Sequence, residues 1–102
     1  RPLVVIAGML ATKDSVGFLR HFAGLARRIM TVPIPRQEKS VPPAVLMDLA
    51  QSVGIPAESH DDLEAALLAV SRLGLEPAPR ILIAGSLYLA GEVLAQNGTP
   101  PA

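Results

Sequence analysis

Two short segments of this sequence carry the residue types that chemistry needs. The first is Gly8-Met9-Leu10-Ala11-Thr12-Lys13-Asp14, which follows an apolar run and precedes a helical pattern. Lys13 offers a point charge to a phosphate or carboxylate, and Asp14 can orient it or a metal ion. Asp14 is equally a preferred helix N-cap, and a capping Asp beside a solvated Lys explains the pair with no ligand at all. The second segment is Ala84-Gly85-Ser86-Leu87-Tyr88-Leu89-Ala90-Gly91. Gly85 permits close backbone approach. Ser86 falls where the free N–H groups and positive dipole of a helix start would meet a carboxylate or phosphate. Ordinary capping after a tight turn accounts for the same residues.

The remaining candidates are weaker. His21 lies beside Phe22 inside a helical pattern and reads as a surface residue. His60 precedes Asp61 and Asp62, but adjacent helical residues do not face one another. Capping and dipole compensation therefore explain that cluster better than a metal site. With two such histidines no Ser-His-Asp arrangement can be argued. Neither glycine segment has the triplet of a dinucleotide site or the Lys-Ser/Thr ending of a phosphate loop.

The elements that would position these segments follow from periodicity. Leu3 to Ala7 is a continuous apolar run ended by Gly8, the pattern of a strand covered on both faces. Asp14 or Thr12 can cap a helix with Val16, Leu19, Ala23 and Ala26 on one face, ending near Arg27-Arg28. Ile29 to Ile34 is a second strand, with Pro33 at its end or on an edge. After Ser40, Pro42-Pro43 opens a helix whose buried face is Val45, Leu46, Leu49, Ala50 and Val53, stopped by Gly54. Ile55 to Ser59 is a brief strand or a connector. Ser59 and Asp62 resemble a capping arrangement before Leu63, Ala66, Leu67 and Val70, and Gly74 ends that helix. Arg80 to Ala84 is a clear strand. A last helix is expected through Leu87, Ala90, Val93 and Leu94, closed by Asn97-Gly98.

Strands alternating with helices imply βαβ units and a parallel sheet. The expected fold is α/β: a Rossmann-like three-layer domain with a mainly parallel sheet of three or four strands and about four helices. Open sheets of this kind bind ligands at the carboxyl ends of their strands.

Composition bounds the function classes. The chain has 102 residues, the size of one small domain. Half of it is hydrophobic but only 3% is aromatic, so the core must be aliphatic. Nine Lys+Arg balance nine Asp+Glu, which argues against a nucleic-acid or anionic-membrane binder. The absence of Cys removes disulfide scaffolds, thiolate metal sites and cysteine nucleophiles. No stretch approaches the ~18 unbroken apolar residues of a transmembrane helix.

The segment from Gly8 to Asp14, the segment from Ile81 through Gly85-Ser86-Leu87-Tyr88 to Leu94, and Val32-Pro33-Ile34-Pro35 together resemble the C-terminal end of bacterial bifunctional folylpolyglutamate synthase/dihydrofolate synthase, of the Mur ligase superfamily. The resemblance covers essentially residues 1–102. It implies an enzyme of the cytoplasm and of folate biosynthesis and one-carbon metabolism. In it, an N-terminal ATPase domain uses ATP and Mg2+ to phosphorylate a pterin substrate's carboxylate, and the amine of L-glutamate attacks the acyl phosphate. This domain would close the cleft, with Ser86 and Gly85 near the glutamate and Lys13 and Asp14 as cleft contacts. A cell-wall Mur amino-acid ligase terminus and a non-catalytic α/β interaction module are the alternatives.

The family's phosphate loop, metal ligands and Asp-Gly-Ala-His-Asn-Pro strand are not in this sequence. The chain is therefore expected to be a fragment, inactive and without tightly bound ATP by itself, with no catalytic residue of its own. The missing strand is expected beside Leu3–Gly8. The exposed edge so created would invite dimerisation or strand exchange.

Overall fold

Strand β1 (Leu3–Gly8) is buried from Val4 onward, and its alternate side chains enter two different cores. Val4 and Ile6 face one side with Met30, Val32 and Ile34. Val5 and Ala7 face the other with Ile29. Burial on both faces is why this strand reads as an unbroken apolar run. The structure, a computed structural model, describes residues 1–86. The helix expected from Leu87 onward lies outside the described residues.

After β1 come α1 (Ser15–Arg20), β2 (Ala26–Thr31), α2 (Pro43–Ser52), β3 (Ala57–Ser59), α3 (Leu63–Ser71) and β4 (Arg80–Gly85). The strand order is β3-β2-β1-β4 and every pairing is parallel. Leu63, Ala66 and Val70 of α3 cover one face of the sheet. Leu19 of α1 and Leu46 and Ala50 of α2 cover the other. The chain moves outward from β1 through β2 to β3, then returns across the opposite face to place β4 beside β1. The order thus reverses between β1 and β4, the kind of switch point at which open α/β sheets bind ligands.

Four expectations need correction. The first helix ends at Arg20, so Ala26, Arg27 and Arg28 belong to β2 and not to a helix C-terminus. Beyond Arg20 the backbone tightens into three-residue turns, and Gly24 at φ +80° turns the chain toward the sheet. Strand β2 accordingly starts and stops three residues before the apolar run Ile29–Ile34, with Pro33, which has no N–H to give the ladder, outside it. Val45 is 48% exposed, because the stripe of α2 that meets the sheet is centred on Leu46 and Ala50. Finally, both sides of β1 are paired, so no further strand can lie beside Leu3–Gly8. Among the described residues the open edges belong to β3 and β4.

Candidate functional site at the carboxyl rim

The two glycine-containing segments meet at the switch point. Gly8 and Gly85 are register partners at the ends of β1 and β4. Gly85 has φ +82°, and a Cβ there would stand 2.7 Å from both the Gly8 carbonyl oxygen and Met9 Sδ. Only glycine fits, on conformational and steric grounds together. The close approach delivers Ser86 over the first turn after β1. Ser86 is 7% exposed, and its Oγ accepts a hydrogen bond from the Leu10 N–H at 3.2 Å. Its own proton points toward Met9 Sδ, 4.0 Å away.

Leu10 also ties the turn to the next loop. Its carbonyl accepts from the Lys13 N–H at 3.0 Å, and it forms an antiparallel bridge with Ser40. On either side of that bridge Ala11 N–H donates to the Lys39 carbonyl (2.7 Å) and Val41 N–H to the Met9 carbonyl (2.8 Å). Ser40 does not cap α2, whose N-cap Pro42 makes no side-chain bond. Its Oγ instead accepts from the Ile34 N–H at 2.9 Å. The ends of β4, β1 and β2 are thereby stitched into one rim.

Outside this seam lies an open groove of about 520 Å³. Lys13 and Asp14 form one wall, Glu38, Lys39 and Ser40 the other, with Val41, Val45 and Leu49 giving an apolar floor. The exposure of Val45 is explained by its place here. Asp14 is the N-cap of α1, with Oδ1 accepting from the Gly17 N–H at 3.0 Å. A Cβ at Gly17 would collide with the Asp14 carboxylate, so glycine there leaves room for the cap. Two amines and two carboxylates over an apolar floor suit a small zwitterionic or amphipathic ligand.

Lys13 and Asp14 are thus brought together on the groove. Ser86 and Gly85 stand behind its wall, linked to it through Leu10. Sequence reasoning missed Glu38, Lys39 and Ser40 as wall residues. They sit in a polar loop, and only the bridge to Leu10 brings them here. His21 is exposed at the end of α1. His60 N–H donates to the Thr31 carbonyl (2.8 Å), with Nε2 at 3.7 Å from Glu58 Oε1, while Asp62 caps α3 through the Ala65 N–H at 2.7 Å. Among the described residues no group of three His, Cys, Asp or Glu side chains could hold a metal ion, and no helix is long and apolar enough to cross a membrane.

A parallel sheet between helices on both faces defines a Rossmann-like three-layer α/β domain. Among solved structures, several folylpolyglutamate synthases share this fold. One, from Mycobacterium tuberculosis and complexed with ADP and AMPPCP, superposes with a TM-score of 0.79 at 19% identity over 99% of this chain and 24% of its own. E. coli FolC in complex with DHPP and ADP gives 0.77 at 17% over 96% and 22%. The Thermotoga maritima synthase gives 0.66 at 18% over 98% and 22%. This chain spans about a quarter of the length of these proteins. No protein-family model and no curated protein sequence matches it.

Proposed function

We propose that residues 1–102 are the C-terminal domain of an ATP-dependent ligase of the cytoplasm that joins L-glutamate to a folate-type carboxylate. The domain would supply the glutamate-side wall of a cleft closed by an N-terminal ATPase domain. The observation that carries this reading is the meeting of Gly8–Asp14 with Gly85–Ser86 at the switch-point rim. These segments bear the resemblance to folylpolyglutamate/dihydrofolate synthases, and the shared fold supports it.

In such a ligase the γ-phosphoryl group of ATP passes to the substrate carboxylate and ADP leaves. The glutamate amine then attacks the acyl carbon, an amide bond forms, phosphate departs and the amine loses a proton. ATP and Mg2+ belong to the neighbouring domain in this reading. The described residues hold neither a phosphate loop nor a carboxylate cluster, and no phosphoryl step is assigned to them. Their part is to bind and orient glutamate: Lys13 and Lys39 can meet its carboxylates and Glu38 its ammonium, with Gly85 and Ser86 behind that wall. Asp14 holds the start of α1 in place under that wall. The outer edge of β4, with Ile81 and Leu82 exposed, is where the isolated chain would associate with a second copy.

The test is direct. The reading frame upstream of Arg1 should encode a phosphate loop, and the protein it specifies should incorporate glutamate into dihydropteroate or tetrahydrofolate only with ATP. The 102-residue chain alone should not. A start codon immediately upstream of Arg1, or no ligation by the longer protein, would sink the proposal.

A further inference from the structure

We infer that Ser86 is a positioning residue, which acts on the groove through Leu10 and does not touch the ligand. The inference rests on the reading of this rim as the glutamate side of a ligase. It changes the role of Ser86 within it. Three observations carry it. The Ser86 hydroxyl is nearly buried, and both contacts it makes among the described residues are internal. Its oxygen accepts from the Leu10 N–H, and its proton faces Met9 Sδ. Leu10 lies at the junction of the rim, since its carbonyl holds the Lys13 N–H and its backbone bridges to Ser40. Ser86 does not line the groove, whereas Lys13 and Lys39, one step beyond Leu10 on each side, do.

Gly85 explains why this contact is built in. Its left-handed backbone and its contact with the Gly8 carbonyl and Met9 Sδ leave Ser86 a short path to the turn after β1. The Leu10 N–H is part-buried, and leaving such a group without a partner costs free energy. The Leu10 N–H therefore takes the Ser86 hydroxyl, and the turn carrying Lys13 is fastened to the end of β4 as well as to the Lys39 loop. Loss of the hydroxyl would leave the bridge to residues 39–41 in place but loosen the turn, and Lys13 with it, on its β4 side.

Amide hydrogen exchange on the 102-residue chain tests the clamp with no substrate present. Ser86→Ala should speed exchange at Leu10 by roughly five- to tenfold relative to the core amides of Val5 and Ile29, the effect of one lost hydrogen bond. Normalising to those core amides separates a local release from general destabilisation. Met9→Leu removes the sulfur but keeps the hydroxyl, and should leave Leu10 protected. Unchanged exchange in Ser86→Ala, or equal release by Met9→Leu, overturns the inference. In the longer ligase, Ser86→Ala and Lys13→Ala should each raise KM for glutamate with KM for ATP intact. The double variant should be little worse than the poorer single one, because both disturb one contact. Multiplying effects would mean that Ser86 reaches glutamate independently, and would also overturn it. If the longer protein proves not to be a ligase, the exchange experiment still decides whether the clamp exists.

Discussion

Asp14 shows how one side chain can look chemical and be architectural. Its carboxylate is engaged by the Gly17 N–H, so replacing it with Ala should cost about 1 kcal/mol, the usual worth of an N-cap. Gly17→Ala should be close to neutral, because its Cβ pushes the Asp14 carboxylate aside while alanine is the better helix former. Urea denaturation of the two variants and of the double variant checks this. Once the cap is gone, Gly17→Ala should become favourable. Gly85 makes the sharper case. Gly85→Ala should destabilise by about 1–3 kcal/mol from backbone strain alone, before the contact with Gly8 and Met9 is counted. The denaturation midpoint of this variant should fall well below that of Gly74→Ala, where φ is also positive but nothing crowds the added carbon.

At the scale of elements, β2 is held to α2 by a buried hydroxyl. Thr31 is fully buried, and its Oγ1 donates to the Pro43 carbonyl at 2.7 Å. Thr31→Val keeps the shape and removes that hydrogen bond, so it should cost about 1 kcal/mol in thermal or chemical unfolding. Leu46→Ala, which empties a site between α2 and the sheet, should cost about 2–5 kcal/mol. The sheet-facing elements were the legible ones. The unbroken run of β1 and the three- and four-residue spacing of Leu63, Ala66 and Val70 leave little choice of face. Helix α1 was not legible, because Ala23 and Ala26 continue a helical spacing by coincidence. Ala26 in fact pairs with Leu3 across the sheet. Leu10–Ser40 pairing was hidden for a different reason: a bridge between two loops thirty residues apart has no periodic trace. Hence Lys13 and Asp14 could be picked out beforehand, while Glu38 and Lys39 opposite them could not.

For the whole molecule, the order β3-β2-β1-β4 moves the vulnerable edge from where the sequence suggested it. A central β1 is protected by two neighbours, while β4 exposes Ile81 and Leu82 to 45% and 40%. If copies of the chain associate along β4, light scattering should give a mass that rises with protein concentration, and Leu82→Lys should return it to that of one chain. A mass independent of concentration in the unaltered chain would remove that expectation. Among the described residues the two faces of the sheet carry separate cores. The core beneath α1 and α2 also supports the groove, so cavities there, as in Leu46→Ala, should disturb ligand binding more than equal cavities beneath α3.

The turn between β1 and α1 is fastened on two sides, to Ser86 and to residues 39–41. Its length is therefore not free to vary. An extra residue between Met9 and Ala11 would throw both seams out of step at once. The bend at residues 76–78 is exposed and precedes β4, at the opposite end of the strands from the rim, so additions to the chain belong there. A reporter peptide or an affinity handle grafted at that bend would leave the rim undisturbed.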